Sequence, residues 1–377
     1  MSRPDLPAVD GIVTAADVAA TAASIAAVQE PWGAIPWFPG HTADAWNHVE
    51  AAMALTVGGL DDAAVRAYEW LRRSQRADGS WPTLWREGRV EDPIADTNQC
   101  AYVAVGVWHH WLLRRDESFV VRMWPTVRRA LDYVVGLQTD RGEFPWKREP
   151  DGTLGEFALL TGCSSTYQSL RAGLALAAFL DEPQPEWEMA AGRVAHVVAE
   201  HPEAFADKST FSMDWYYPVL GGAVRGDAGF AQLASRWDEF IVPGLGCRCV
   251  HDQPWVTGAE TCELVIALDA LGDGDRAHEM FAMMQHLRAA DGAYWTGYQY
   301  VNRVNWPADR STYTAAAVVL AADVLSRTTP GATLFLADDL PSGVDLARGA
   351  CGCPSDLEWA YEPWESASVG GDPLEHS

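Results

Sequence analysis

Apolar residues recur at spacings of three and four along most of this chain, broken by glycine, proline or short polar runs, and that period marks helices with one buried face. It predicts helices over 14–29, 44–58, 61–76, 97–114, 117–138, 161–180, 185–201, 212–222, 228–240, 258–271, 273–289 and 311–326. The connections alternate in length. Gly58-Gly59-Leu60, Arg115-Asp116, Asp181 to Gln184 and Gly272 are tight turns, whereas 30–43, 77–96, 139–160, 202–211, 241–257 and 290–310 are long. Long structureless loops are uncommon in a compact domain unless they carry function. Helices joined by every second, short connection pair into six hairpins, and closing those hairpins into a ring sends all the long loops to one end. The expected fold is therefore all-α, an (α/α)6 toroid with its active site at the long-loop end. A single catalytic domain is expected over residues 1–326. The Pro- and Gly-rich tail from 327 to 377 is expected to pack on this barrel and end in disorder.

A weak internal repeat supports the ring. Gln29-Glu-Pro-Trp-Gly33 leads to Pro36-Trp37, Gln75-Arg-Ala-Asp-Gly79 to Trp81-Pro82, Gln138-Thr-Asp-Arg-Gly142 to Pro145-Trp146, and Asp291-Gly292 to Trp295. Each unit ends a helix with a glycine able to take positive φ and then an aromatic plug. The repeat resembles the glutamine–tryptophan motif of terpene cyclases and the hairpins of prenyltransferase β subunits, which share the toroid. Their chemistry does not follow. A protonating cyclase needs Asp-x-Asp-Asp, and Asp338-Asp339 has no acid two residues earlier; a prenyltransferase needs Asp-x-Cys for zinc, which is absent.

Composition narrows the partners. A formal net charge of −25, from 27 basic and 52 acidic residues, repels nucleic acid and anionic membranes. The N-terminus does not read as a secretory signal, the apolar run 315–322 is too short to span a bilayer, and seven cysteines is an odd number for a disulfide framework. A cytoplasmic location is expected. Cys247-Arg-Cys249 near His251, and Cys351-Gly-Cys353, are spaced more tightly than structural zinc pairs, so no metal is expected. Neither a phosphate-binding glycine loop nor a Gly-x-Ser-x-Gly elbow occurs, and no cofactor is expected.

Ten of the eighteen tryptophans lie in the long loops or the first turns after them, a placement that calls for a ligand to cover them. Trp37, Trp46, Trp81, Trp215, Trp255 and Trp295, with Tyr216 and Tyr298, are candidate platforms for a sugar or an isoprenoid. His41, His48, Asp96 and Asp214 are candidates for binding sugar hydroxyls. The acids favour sugar. Asp44 sits among His41, Trp46, Asn47 and His48, and Glu260 opens the helix after Pro254-Trp-Val-Thr-Gly258, with Glu263 three residues on. Capping is the bland explanation of any acid at a helix start. Two such acids, one protonated and one ionised, are also what glycoside hydrolysis requires. Asp44 and Glu260 are the expected catalytic pair, with Glu263 and Glu50 in reserve.

Four segments resemble a known family: Ile35-Pro-Trp-Phe-Pro-Gly-His-Thr-Ala-Asp-Ala-Trp-Asn-His-Val-Glu50, Ala101-Tyr-Val-Ala-Val-Gly-Val-Trp-His-His-Trp111, Lys208-Ser-Thr-Phe-Ser-Met-Asp-Trp-Tyr-Tyr-Pro218 and Pro254-Trp-Val-Thr-Gly-Ala-Glu-Thr-Cys-Glu263. They are similar to actinobacterial proteins often named prenyltransferases, a group that includes the mycobacterial methylmannose polysaccharide hydrolases. The resemblance covers about residues 8–330. It implies an intracellular endo-mannosidase cutting α-1,4-linked 3-O-methylmannose chains, with acids at the barrel mouth that match Asp44 and Glu260. An inverting outcome is expected by analogy with other toroid enzymes. The expected partner is a neutral oligo- or polysaccharide, and the oligomeric state stays open. Two other readings remain at this point: an isoprenoid enzyme with a closed apolar cavity, and a glycan-binding protein without turnover.

Overall fold

The computed structural model describes residues 5–336 and 340–344. Its helices are α1 (Ala15–Val28), α2 (Ala45–Val57), α3 (Asp61–Ser74), α4 (Thr97–Ala101), α5 (Val103–Arg114), α6 (Glu117–Val135), α7 (Leu160–Phe179), α8 (Pro185–Glu200), α9 (Ser212–Leu220), α10 (Gly226–Ser235), α11 (Trp237–Phe240), α12 (Gly258–Ala270), α13 (Gly274–Met283) and α14 (Thr312–Ser326). Every helix read from the sequence is present. The segments 97–114 and 228–240 each divide in two, at Tyr102 and Arg236.

Helices α2, α5, α7, α9, α12 and α14 each pack on the next, and α14 returns to α2, which closes an inner ring. Helices α1, α3, α6, α8, α10 and α13 form the outer layer, with α1 docked on α14. Burial follows the layering. Every residue of α12 from Gly258 to Leu268 is buried, whereas α3 buries one stripe, Ala63, Ala64, Ala67, Tyr68, Trp70 and Leu71, and shows water its arginines.

The glutamine–glycine repeat ties the outer layer together. Gln29 Nε2 donates to the Gly33 and Ala63 carbonyls at 3.1 and 2.9 Å, Gln75 to Gly79 and Thr126 at 2.9 and 3.0 Å, and Gln138 to Gly142 and Ala190 at 2.8 and 3.0 Å. Each glutamine thus clamps its own turn to the next outer helix. Gly79 has φ +97°, and a Cβ there would stand 2.2 Å from the Arg129 carbonyl oxygen, so only glycine permits the approach.

The long loops are not structureless, as the pattern suggested. They carry strands β1 (Thr42–Ala43), β2 (Leu84–Arg86), β3 (Arg89–Asp92), β4 (Ala95–Asp96), β5 (Lys147–Arg148), β6 (Ile241–Val242), β7 (Gly246–Arg248), β8 (Trp255–Thr257), β9 (Gly297–Gln299) and β10 (Val304–Asn305). These pair antiparallel as β1-β2-β3, β4-β5 and β10-β9-β8-β7-β6. Strands this short escape a reading based on two-residue periodicity. The pairs β1–β2, β4–β5 and β8–β9 join neighbouring loops, the others fold one loop on itself, and Ala206 N to Ala158 O (3.0 Å), His251 N to Thr210 O (3.0 Å) and Thr312 N to Trp37 O (2.7 Å) complete the circuit. The long loops therefore form one crown at one end of the ring.

At the other end, the segment after α14 crosses the short-turn face. Thr329 is tied to Asp323, Gly331 abuts His109 and Leu113, Arg225 donates to Phe335 O, and Arg171 donates to the Leu340 and Pro341 carbonyls. Val344 N then bonds to Glu188 O at 3.1 Å. Residues 345–377, with Cys351 and Cys353, and Asp338 and Asp339 lie outside the described residues. Among those described, Cys100, Cys163, Cys247, Cys249 and Cys262 are free and buried, and no helix is long and apolar enough to cross a membrane.

Candidate active site

The inner helices all start under the crown, so their partial positive ends converge there and favour carboxylates. Asp44 is the cap of α2: extended backbone delivered by β1 aims its side chain back at the first turn. A cap needs one acceptor bond, and Asp44 accepts three. Asn47 N reaches Oδ1 at 2.8 Å, while Trp37 Nε1 and Asn47 Nδ2 each reach Oδ2 at 2.6 Å. Burial raises its carboxyl above the ordinary range, against the pull of those donors. Asp96 caps α4 in the same way, through Gln99 N at 2.9 Å, and burial pushes it up to about 7, with Asp44's charge adding to the effect.

Glu260 lies in the first turn of α12, 8 % exposed. Glu263, one turn deeper, accepts the hydroxyls of Tyr216, Tyr217 (3.0 Å) and Tyr313 (2.7 Å). Glu50, at the same depth on α2, accepts Tyr102 OH at 3.0 Å. Burial first, and then the Glu263 carboxylate, drive Glu50 well above the usual carboxylate range; burial lifts Glu263 to about 7 while the phenols pull it down. Trp46 lies over this layer, its ring 5.8 Å from Tyr102, 5.9 Å from Tyr217 and 6.1 Å from Tyr313.

The structure thus gathers Trp37, Asp44, Trp46, Glu50, Asp96, Tyr216, Glu260 and Glu263 beneath the crown. His41 joins Trp37 at the rim, ring to ring at 6.1 Å. Other candidates are placed elsewhere. Both His48 nitrogens are engaged by backbone, Ile35 N and Ala67 O, so its ring faces the outer layer. Trp81 Nε1 donates to Leu71 O and Trp215 Nε1 to Gln232 O, which turns both indoles toward outer helices. Asp214 receives Thr161 N and Oγ1 and so ties α9 to α7. Trp255 is bound to Trp306 O, and Tyr298 edges onto His286. Trp295 lines a groove of about 770 Å³ between α1 and the start of α14, with Arg310 over its ring.

Tyr102, Tyr217 and Tyr313 were not singled out by sequence. The signal existed: Glu50, Tyr102, Tyr217 and Glu263 each fall six residues after an inner-helix cap, at Asp44, Asp96, Phe211 and Thr257. Several buried acceptors in this region lack a protein partner, among them Asn47 Oδ1, Asn98 Oδ1, Gln99 Oε1 and Thr257 Oγ1. An isoprenoid site would be almost wholly apolar; the groups gathered here are acids, phenols and amides. Among the described residues, no group of three or more His, Cys, Asp or Glu is arranged to hold a metal ion.

The MMP endo-(1,4)-3-O-methyl-alpha-D-mannosidase of Mycolicibacterium hassiacum is 56% identical to this chain over 356 residues, 94% of this chain and 99% of that protein. The chain belongs to that family. It is accordingly a glycoside hydrolase. No protein-family model matches. Solved structures agree on the fold: a D-mannose isomerase superposes with TM-score 0.64 at 12% identity, covering 83% of this chain and 97% of that one. A glycosidase variant in complex with glucose gives 0.62 at 16%, covering 83% and 98%. The prenyltransferase-like repeat therefore marks a shared toroid and nothing of the reaction.

Proposed function

We propose that this hydrolase cleaves α-1,4 bonds inside 3-O-methylmannose polysaccharide in the cytoplasm, with Asp44 and Glu260 as its acid–base pair. The observation that carries the reading is the presence of two buried carboxylates at the starts of the inner helices α2 and α12, with orphaned acceptors beside them. Sugar hydroxyls donate to such acceptors, and methyl ethers cover the indoles of Trp37 and Trp46. One carboxyl protonates the leaving oxygen and the other draws a proton from water attacking the opposite face. Asp44, lifted by burial, can keep a proton where an exposed aspartate would not. A neutral polymer is not repelled by the acidic surface, and five buried free thiols suit a reducing compartment.

The test is incubation with 3-O-methylmannose oligosaccharides of defined length. Internal cleavage, with the new reducing end of inverted configuration when observed early by NMR, supports the reading. Intact oligosaccharide, or release of single terminal sugars only, overturns it. In Asp44→Ala and Glu260→Ala, added azide restores cleavage only where the base was removed, which assigns the two roles.

A further inference from the structure

The buried pair Glu50 and Glu263 is not used by the reaction just described, although it lies directly beneath it. Its surroundings are lopsided. Glu263 accepts three phenol hydroxyls and Glu50 accepts one. Three of those phenols, on Tyr102, Tyr217 and Tyr313, are also the rings that meet Trp46, with interplanar angles of 84°, 70° and 48°. Each support of the indole is therefore tethered at its far end to one member of the pair. The residues come from α2, α9, α12, α14 and the break between α4 and α5, so the arrangement joins four neighbouring positions of the inner ring and the α4–α5 junction.

We propose that Trp46 is the sugar platform at the centre of the mouth and that Glu50 and Glu263 position it, the pair holding one shared proton on Glu50 and one charge on Glu263. The inference rests on the hydrolase reading, since it assumes a sugar above Trp46. Its physical basis is simple. Two carboxylates buried side by side cannot both ionise without strong repulsion, and the member with more donors is the one that carries the charge. Three phenol donors stabilise an anion on Glu263. Glu50, with one, keeps the proton. Loss of that proton sets two like charges beneath the indole and pushes the tethered phenols apart.

The other titratable groups facing the pair fall into two sets. Asp44 on α2 and Glu260 on α12 are acids whose charge helps to keep a proton on the pair. Cys262 on α12, Cys247 and Cys249 at β7 and the four tyrosines are held neutral by burial, and the phenols act on the pair only as donors that favour its charged form. Burial raises both members, in agreement with one retained proton near neutrality.

The experiment is a pH series of oligosaccharide binding to the cleavage-impaired Asp44→Asn protein by calorimetry, alone and combined with Glu50→Gln or Glu263→Gln, beside kcat and KM of the single variants. A glutamine at 50 mimics the retained proton. Glu50→Gln is expected to stay within about threefold of the parent in affinity at neutral pH and to move the alkaline loss of binding upward by about one pH unit or more. Glu263→Gln, which removes the anchor of three phenols, is expected to weaken binding roughly tenfold or more at every pH, mainly in KM. Trp46→Ala should match it. Equal damage from both glutamine variants, or an alkaline limb left where the parent has it, overturns the proposal. If Glu263→Gln does not fold, the Tyr217→Phe/Tyr313→Phe protein replaces it, and wild-type KM there overturns the proposal as well. Because the readout is binding, full cleavage by Asp44→Asn would sink the acid–base assignment without touching this one.

Discussion

The two ends of the inner ring are built from the same helices and finish in opposite chemistry. At the short-turn end, helix carbonyls and the closing segment meet arginines: Arg114 donates to Thr56 O, Arg327 to Val324 O, Arg225 to Phe335 O and Arg171 to the Leu340 and Pro341 carbonyls. At the long-loop end, the helix starts meet acids, Asp44, Asp96, Asp214 and Glu260, and several buried acceptors are left without partners. The acids at the helix starts, and Arg114 and Arg327 at the helix ends, follow the helix dipole at roughly 0.3–1 kcal/mol per charge. The difference is closure. One end is covered by the chain's own closing segment, with only scattered orphans such as His109 and His110 Nδ1 beneath it, while the other gathers acids and orphaned acceptors under the crown.

The sharpest break of that comparison is at the acids. Asp44→Asn and Glu260→Gln are each expected to lower kcat by about 10³-fold with the fold intact by circular dichroism, in the range typical of lost acid–base catalysis. Activity within tenfold of wild type would return Asp44 to the role of a helix cap and Glu260 to that of a first-turn acid. The floor should answer in stability instead. Arg171→Met leaves two carbonyls without their donor and is expected to cost about 1–3 kcal/mol in urea unfolding while kcat changes less than about twofold.

Smaller effects sharpen the contrast. Trp37→Phe removes one of the donors on Asp44 and so raises that carboxyl further; the limb of the pH profile that it controls should move to higher pH, with kcat falling by roughly tenfold. Glu263 and Asp96, both lifted to about 7, bind protons more tightly folded than unfolded. Their contribution is fully present below the unfolded value, near 4, and is lost as pH rises through about 7. The melting temperature should thus fall between pH 5 and pH 8. Asp96→Asn should flatten that slope without a large change at pH 5.

Much of this was legible in the chain. A period of three to four residues with alternating loop lengths gives twelve helices and a ring, because inner helices are apolar all round and outer ones on one stripe. The acids at helix starts were legible for the same reason that they were ambiguous. Capping and catalysis ask for the same residue type at the same place, and burial with the bonds from Trp37 and the Asn47 side chain separates Asp44 from a less buried cap such as Asp116, which holds Phe119 N at 3.0 Å and Ser118 Oγ at 2.6 Å. His48, Trp81 and Trp215 misled because adjacency along a helix says nothing about which face a side chain takes. His48 is four residues from Asp44, yet its ring is fixed by α3. The tyrosines on Glu263 converge from α9 and α14, and a linear sequence does not show that these helices are neighbours of α12. The strands of the crown were hidden because they are two to four residues long, too short to show a two-residue period.

The most direct test is the crystal structure of the Asp44→Asn protein with a 3-O-methylmannose oligosaccharide. The account predicts the chain threaded beneath the crown, one ring stacked on Trp46 and a glycosidic oxygen between positions 44 and 260, with their carboxyl groups about 6.5–9.5 Å apart, the spacing of inversion. An oligosaccharide seated instead in the groove lined by Trp295, with positions 44 and 260 remote from every sugar bond, would contradict it.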